Sequence, residues 1–235
     1  MSGIVELADG VLQVAAQPGI NVWVLRTDAG AVLVDAGLAA PGLLRALGRL
    51  GVAPRDVVGV LLTHGHPDHA GGLSRLRRAG GGGWVRVGKP DLATVRGLAP
   101  QPDSDPSTRL GRLMNRLPPP PGFGPTDPVA DASALTDGDH LDIAGGLRVV
   151  ATPGHSPGHV AFHLPAHDLV IGGDALFNLF SLRPAPGLLC SDVPANRRAI
   201  GTIADLAPGT LGLAHGSPVA GDVTGRLRQV LADAS

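Results

Sequence analysis

The chain has 235 residues, 43% hydrophobic and 17% charged, with 19 basic side chains against 20 acidic ones. That length fits one large domain or two small ones, and either can bury a core without staples. A net charge of −1 argues against a nucleic-acid binder, which needs a basic stripe, and a single cysteine, Cys190, excludes an internal disulfide framework or a Cys-rich zinc module.

Residues 1–10 carry Glu6 and Asp9 and no basic region followed by an apolar stretch, so no secretory signal is expected. No run of about 18 uncharged apolar residues exists, so no membrane span is expected. Together with the lone cysteine, this makes a cytoplasmic location the expectation. Apolar runs at 11–16 and 21–27 read as strands, and Asp28-Ala29-Gly30 turns the second into a hairpin with 31–34. Leu43, Leu44, Leu47 and Leu50 recur at helical spacing over 41–50, between Pro41 and Gly51. Residues 57–62 form a continuous apolar run, the signature of a strand buried on both faces. A helix is expected over 68–79, with Leu73 and Leu76 inward and the glycines at 80–83 ending it.

Residues 89–130 are rich in Pro, Gly and Asp, with four consecutive prolines from Pro118. They read as a surface insertion, a lid or a linker, holding one helix over 107–117. Strands resume at 140–143, 147–151, 159–164 and 169–172. After a second irregular stretch at 175–193 come a helix at 194–206, a strand at 210–214 and a closing helix at 222–232. Two sheets packed face to face with helices outside satisfy this rhythm, giving one α/β domain over 1–235.

The strongest chemical signal is Thr63-His64-Gly65-His66-Pro67-Asp68-His69-Ala70-Gly71-Gly72, directly after a buried strand. His64 and His66 are two apart, so they share a side at an extended strand end and not on a helix. Pro67 suits a helix start, which puts Asp68 and His69 on its first turn. Three imidazoles and a carboxylate crowded this way need partners once they lose water, and a divalent cation supplies them. Three further pieces end apolar runs beside glycine: Gly154-His155-Ser156 within Thr152 to His159, Gly172-Gly173-Asp174, and Ala214-His215-Gly216. If the strand ends share one edge, all four pieces meet there.

His-x-His-x-Asp-His followed in order by His, Asp and His resembles the metallo-β-lactamase superfamily, from about residue 21 to 215. The segments Pro-Gly-His-Ser-Pro-Gly-His and Gly-Asp-Ala-Leu-Phe look like its glyoxalase II-type and lactonase-like branch. The resemblance implies an αβ/βα four-layer sandwich with a dinuclear metal site at one edge of the sheets. It implies that His64, His66 and His155 hold one metal, that Asp68, His69 and His215 hold a second, and that Asp174 bridges them. It implies two divalent cations, zinc first, with iron or manganese as alternatives. An aspartate at the bridging position tells against lactam cleavage. About 20 residues follow His215 and the chain has no tyrosine, which tells against the glutathione-holding extension of glyoxalase II.

The implied activity is hydrolysis of a small ester, thioester or lactone by a bridging hydroxide, with Asp68 as the residue that orients the water or carries its proton. The partner is then a small molecule, with no nucleic acid or membrane, and the oligomeric state is left open. The alternatives are a mononuclear-iron sulfur (persulfide) dioxygenase of the same fold and a non-catalytic, metal-stabilised binding protein. Asp35, in Val-Asp-Ala-Gly, could accept a hydrogen bond from a ligand imidazole or serve turn chemistry. Thr63 and Ser156 could support ligands or cap the backbone, and His159 reads as structural. Met114 and Phe123 in the insertion, and Phe177, Asn178 and Arg183 in the second irregular stretch, are the pocket candidates. The apolar ones favour an acyl or lactone group, whereas Arg183 favours a carboxylate or phosphate.

Overall fold

In the computed structural model, which describes residues 3–233, the first half of the chain lays down a seven-stranded sheet in sequential order. Its strands are β1 (Ile4–Ala8), β2 (Val11–Gln17), β3 (Ile20–Thr27), β4 (Gly30–Val34), β5 (Val57–Leu62), β6 (Trp84–Gly88) and β7 (Ser133–Leu135). β1 to β4 run antiparallel through tight turns, and β4 to β7 run parallel. Parallel neighbours need crossovers. These are α1 (Gly42–Arg49), then α2 (Pro67–Ala70) with α3 (Leu73–Arg78), then a long segment holding α4 (Leu92–Val95) and α5 (Arg109–Met114).

The second half supplies β8 (His140–Leu141), β9 (Leu147–Ala151), β10 (Val160–Leu164) and β11 (Leu169–Ile171). A separate two-stranded ribbon follows, β12 (Leu176–Phe177) with β13 (Arg183–Pro184), then α6 (Val193–Asp205), β14 (Thr210–Gly212), β15 (Val219–Ala220) and α7 (Val223–Asp233). The second sheet runs β15-β14-β11-β10-β9-β8.

Side-chain alternation decides the layers. Trp23, Leu25, Val34 and Leu61 of the first sheet meet Leu147, Val149, Phe162 and Ile171 of the second. The opposite face of the first sheet, with Val22, Val24, Leu33 and Leu62, packs under α1 and α3 through Leu43, Leu47, Leu73 and Leu76. The opposite face of the second, with Val150, Ala161 and Val170, packs under α6 and α7 through Ile200, Ile203 and Leu227. The result is the expected αβ/βα sandwich, and residues 20–25 are continuously apolar or buried because β3 is covered on both faces. At one edge the sheets are joined directly. The Val160 N–H donates to the Thr63 carbonyl at 2.9 Å, the Asn21 N–H to the Ala214 carbonyl at 2.8 Å, and Asn21 Nδ2 to the Leu213 carbonyl at 2.9 Å.

The expected elements recur within one to three residues at their ends, with three differences. β1, β6, β7, β12, β13 and β15 are absent from the expected strands: β1 and β7 are short and partly exposed, β6 is only five residues long, and β12, β13 and β15 are two residues each. The helix expected over 68–79 is two helices, because the chain at Gly71-Gly72 passes against the loop after β4. A Cβ on Gly72 would overlap the Ala36 carbonyl, and one on Gly71 the Pro67 carbonyl. Residues 89–95 are not surface insertion either, since Asp91 and Val95 are buried and Val129 closes over them. Among the described residues no helix is long and apolar enough to cross a membrane.

Phe162 is fully buried between the sheets, whereas Leu110 on α5 is 47% exposed. Phe162→Ala is expected to lower unfolding free energy by about 3–5 kcal/mol, and Leu110→Ala to change it by less than about 0.5 kcal/mol. Guanidinium unfolding of both variants measures the difference.

Candidate metal centre

The loops after β5, β9, β11 and β14 meet at the joined edge. β5 ends at Leu62, and the chain stays extended through His66 before Pro67 starts α2. This sends His64 and His66 to one side and sets Asp68 and His69 on the first helical turn. Asp174 turns inward because Gly173 adopts a left-handed φ of +54°. A Cβ there would fall 2.6 Å from His159 Nε2 and 2.9 Å from the Thr63 Cβ.

Two groups of donor atoms result. His64, His66 and His155 form one, and Asp68, His69, Asp174 and His215 the other, with the donors in each group within 4.8 Å of one another. His66 Nδ1 stands 2.9 Å from His155 Nε2. Asp174 Oδ2 reaches from its own group to a member of the other, at 3.4 Å from His155 Nε2, 3.4 Å from His69 Nε2 and 3.2 Å from His215 Nε2. Asp68 Oδ2 is 3.3 Å from His215 Nε2 and 3.8 Å from His69 Nε2. Ligand atoms around a tetrahedral ion with bonds of about 2.0–2.2 Å stand about 3.3–3.6 Å apart. The donor set therefore fits metal ions, and the buried lone pairs agree: His64 Nε2, His69 Nε2 and Asp174 Oδ1 have no hydrogen-bond partner within the protein.

The outward ring atoms explain why those lone pairs face inward. His69 Nδ1 donates to Asp35 Oδ2 at 2.8 Å, and His215 Nδ1 to the Gly19 carbonyl at 2.9 Å. Thr63 Oγ1 donates to Asp35 and receives His64 Nδ1 at 3.1 Å. Each bond fixes a ring proton on the far nitrogen, so Nε2 is the atom left to take a metal or a second proton. Asp35 is fully buried at a φ of +63° and also accepts the Thr63 N–H at 2.8 Å. A non-glycine residue in that region stores strain, and the three bonds hold it there. His159 is not a member of either group. Its Nε2 accepts the Asp174 N–H at 2.9 Å and its Nδ1 donates to the Thr152 carbonyl. Burial pushes it down to about 4, so the neutral ring is a fixed prop.

Asp91 was not foreseen. It is buried, and its Oδ2 accepts the Gly65 N–H at 3.1 Å and Ser156 Oγ at 2.6 Å, while Oδ1 accepts the Gly158 N–H at 2.6 Å. One carboxylate thus pins the loop of His64 and His66 to the loop of His155. Ser156 consequently supports Asp91, not an imidazole as the sequence allowed. Asn21 was missed as well: its Nδ2 also reaches the Gly216 carbonyl at 2.7 Å, bracketing His215.

The electrostatics differ between the groups. Burial, reinforced by the neighbouring imidazoles, holds His64 well below the usual histidine range, and burial outweighs Asp174 to do the same for His155. Burial also lowers His66 against the pull of Asp68. In the second group burial again opposes the imidazolium, but Asp174, Asp35 and Asp68 hold His69 well above its ordinary value, and Asp174 lifts His215 to about 10. Burial would raise the Asp174 carboxyl, yet His69, His215 and His155 keep it well below the carboxylate range. Without a metal, protons provide the positive charge between these carboxylates, so cation uptake is coupled to proton release.

A cavity of about 890 Å³ opens onto His66, Asp68, His155, Asp174 and His215, and Met114, Phe123 and Phe177 line it. The Phe177 ring lies 4.3 Å from the His215 ring, centroid to centroid. Asn178 and Arg183 do not line it, contrary to expectation. Asn178 follows Phe177 in an extended chain, so it faces the other way and donates to the Ser217 carbonyl at 2.9 Å. Arg183 is exposed and its Nε donates to Ser181 Oγ at 2.8 Å.

The fold and this arrangement define a class, the αβ/βα sandwich with a histidine- and aspartate-lined edge. A model of the metallo-beta-lactamase superfamily matches residues 17–218, and the chain belongs to that superfamily. It is 30% identical over 171 residues to an acyl-coenzyme A thioesterase, MBLAC2, of Gallus gallus, covering 67% of this chain and 58% of that protein. It is 29% identical over 172 residues to a hydroxyacylglutathione hydrolase of Aeromonas salmonicida (strain A449), covering 72% of this chain and 51% of that one. The chain thus spans little more than half the length of these relatives. Among solved structures, a metallo-beta-lactamase family protein from Thermus thermophilus, TTHA1429, superposes with a TM-score of 0.71 at 26% identity. That likeness covers all of this chain and 80% of the other.

Asp91→Ala removes the tie between two donor loops while leaving every donor in place. Zinc affinity, measured by competition with a chromophoric chelator, is expected to fall about 10–100-fold. Unchanged affinity would show that the loops hold their donors without the tie.

Proposed function

We propose that the protein is a metal-dependent hydrolase that uses a dinuclear site to cleave carboxylic esters, thioesters or lactones. The observation that carries this reading is Asp174, whose one oxygen lies within 3.4 Å of donors from both groups. His64, His66 and His155 would hold one cation, Asp68, His69 and His215 the other, with Asp174 between them. An all-imidazole and carboxylate set suits zinc, with iron and manganese as alternatives. A single cation, as in the dioxygenase alternative, would leave the positive charge beside Asp68 to protons on His69 and His215, whereas an Asp174 oxygen close to donors of both groups suits two cations. When bound, a pair of divalent cations supplies an acidified water near neutral pH and positive charge for the carbonyl oxygen.

The chain's own residues do the rest. Asp68 lines the cavity with its carboxyl held low: burial would raise it, but His69 and His215 overcome that. It is placed to accept a hydrogen bond from the attacking water and to carry its proton toward the leaving group. Asp35, Thr63 and the Gly19 carbonyl keep the imidazoles aimed. Residues 97–128 act as a cover that keeps bulk water from the reacting carbonyl, within a single domain over 1–235. The thioesterase and hydroxyacylglutathione hydrolase relatives support carbonyl hydrolysis as the reaction class.

Metal analysis of the purified protein is expected to give two zinc ions per chain, and one iron would favour the oxidative alternative. His66→Ala and Asp68→Asn are each expected to lower kcat/KM for an aryl ester by about 10²-fold or more. Turnover untouched in both variants would refute catalysis at this site.

A further inference from the structure

The cavity wall carries information that the donor groups do not. It is built mainly by residues 97–128 with Leu188 and Leu189, and none of the cavity's lining residues is lysine or arginine. Seven of the lining residues between 97 and 128 are proline, which has no backbone N–H to give. The side-chain donors on this wall are largely occupied. Thr94 Oγ1 donates to the Pro100 carbonyl, Gln101 Nε2 to the Gly65 carbonyl, Ser104 Oγ to the Leu188 carbonyl and Asn115 Nδ2 to the Ser104 carbonyl. An anionic group entering here would lose its water and find no cationic side chain and few free side-chain donors. Conversely, Leu117, Phe123 and Leu189 line the cavity while staying 54%, 39% and 40% exposed. Apolar surface left uncovered in a concave site of this size fits an apolar occupant.

We infer that the site takes neutral esters, thioesters or lactones with an extended apolar acyl arm, and discriminates against substrates whose carrier is a polyanion such as coenzyme A or glutathione. The inference rests on the hydrolase reading and narrows it. Water adds to the acyl carbonyl, the C–O or C–S bond breaks, the carboxylate keeps the arm, and the alcohol or thiol leaves with a proton. The donors at the cavity floor meet the carbonyl, and the proline-rich wall meets the arm.

The test is a set of matched substrates for the zinc-loaded protein. From p-nitrophenyl acetate to p-nitrophenyl octanoate, kcat/KM is expected to rise about tenfold or more, since each buried methylene adds favourable transfer free energy. Octanoyl-N-acetylcysteamine, a neutral thioester, is expected to exceed octanoyl-coenzyme A by about tenfold. The double variant Leu117→Ser with Phe123→Ser is expected to lower the octanoate-to-acetate ratio about fivefold. A readout free of turnover is the fluorescence of neutral N-phenyl-1-naphthylamine added to chelator-stripped protein, expected to be enhanced by the protein and weakened by the double variant. A flat chain-length profile, or preference for the coenzyme A ester, with hydrolysis intact would overturn this inference and leave the hydrolase reading standing. No turnover of any ester, thioester or lactone would overturn both.

Discussion

The structure depends on packing two carboxylates and five imidazoles into a dry edge between two apolar sheets. Asp174 sits at the centre of that problem. Its Oδ2 faces three imidazole nitrogens, and its Oδ1 is buried with no partner within the protein. A buried acceptor left bare costs about 1–3 kcal/mol, and His64 Nε2 and His69 Nε2 add to the same cost. Such a cluster holds together only if something rigid stands behind its donors. Here that backing stands behind four of the seven donors and behind the loops that carry others. Asp35 and Thr63 stand behind His69 and His64, Gly19 and Asn21 behind His215, Asp91 behind the Gly65 and Ser156 turns, and His159 behind the Asp174 amide. The bonds that stitch the two sheets together at Thr63, Asn21 and Ala214 lie in the same place. The edge where the sheets join and the edge where the donors converge are one feature, so fold stability and donor geometry share their hydrogen bonds.

What could be read from sequence followed the range of the interaction. His64, His66, Asp68 and His69 announce themselves because they fall within six positions after an apolar strand. His155, Asp174 and His215 are legible because each ends an apolar run beside a glycine. Two facing sheets with helices outside are legible in the rhythm of the apolar runs, and the family resemblance implies the αβ/βα order of the four layers. Asp91 had no such signal. Its partners Gly65, Ser156 and Gly158 are 26, 65 and 67 positions away, and Lys-Pro-Asp-Leu falls in the stretch whose composition reads as a surface insertion. The break at Gly71-Gly72 was equally hidden. The glycines were visible, but their cause, the Ala36 carbonyl, belongs to another loop. Phe177 and Asn178 are adjacent in sequence and were grouped as pocket candidates, yet strand geometry sends them to opposite sides. Pocket membership is a property of side-chain direction, which residue type does not reveal.

The 89–130 segment shows the same limit. Its composition suggests a loose surface loop, but the structure ties it down at both ends and across the site. Gln101 Nε2 bonds the Gly65 carbonyl at 2.9 Å, Ser104 Oγ the Leu188 carbonyl at 2.7 Å, and the Asp105 carboxylate accepts the Val193 N–H at 3.0 Å. Arg96 holds the Ala132 carbonyl where the segment returns to the sheet. Proline adds stiffness by removing freedom from the unfolded chain rather than by adding contacts. The cover is therefore a wall with fixed anchors.

That rigidity has a chemical consequence. A flexible cover can turn a backbone amide toward whatever enters, and so meet polar and apolar ligands alike. A proline-rich wall whose Thr94, Gln101, Ser104 and Asn115 side chains are already bonded to the protein cannot turn these groups to a ligand without breaking those bonds, one of which holds the loop of His64 and His66. Polar recognition at this site is thus confined to the donor floor, and the wall contributes shape and dryness. The same bond from Gln101 to Gly65 makes the two functions inseparable: moving the wall to fit a charged carrier would move the donors that act on the carbonyl. Selectivity in this arrangement comes from what the wall can no longer offer, because a buried charge without a partner is rejected more strongly than an added methylene is welcomed.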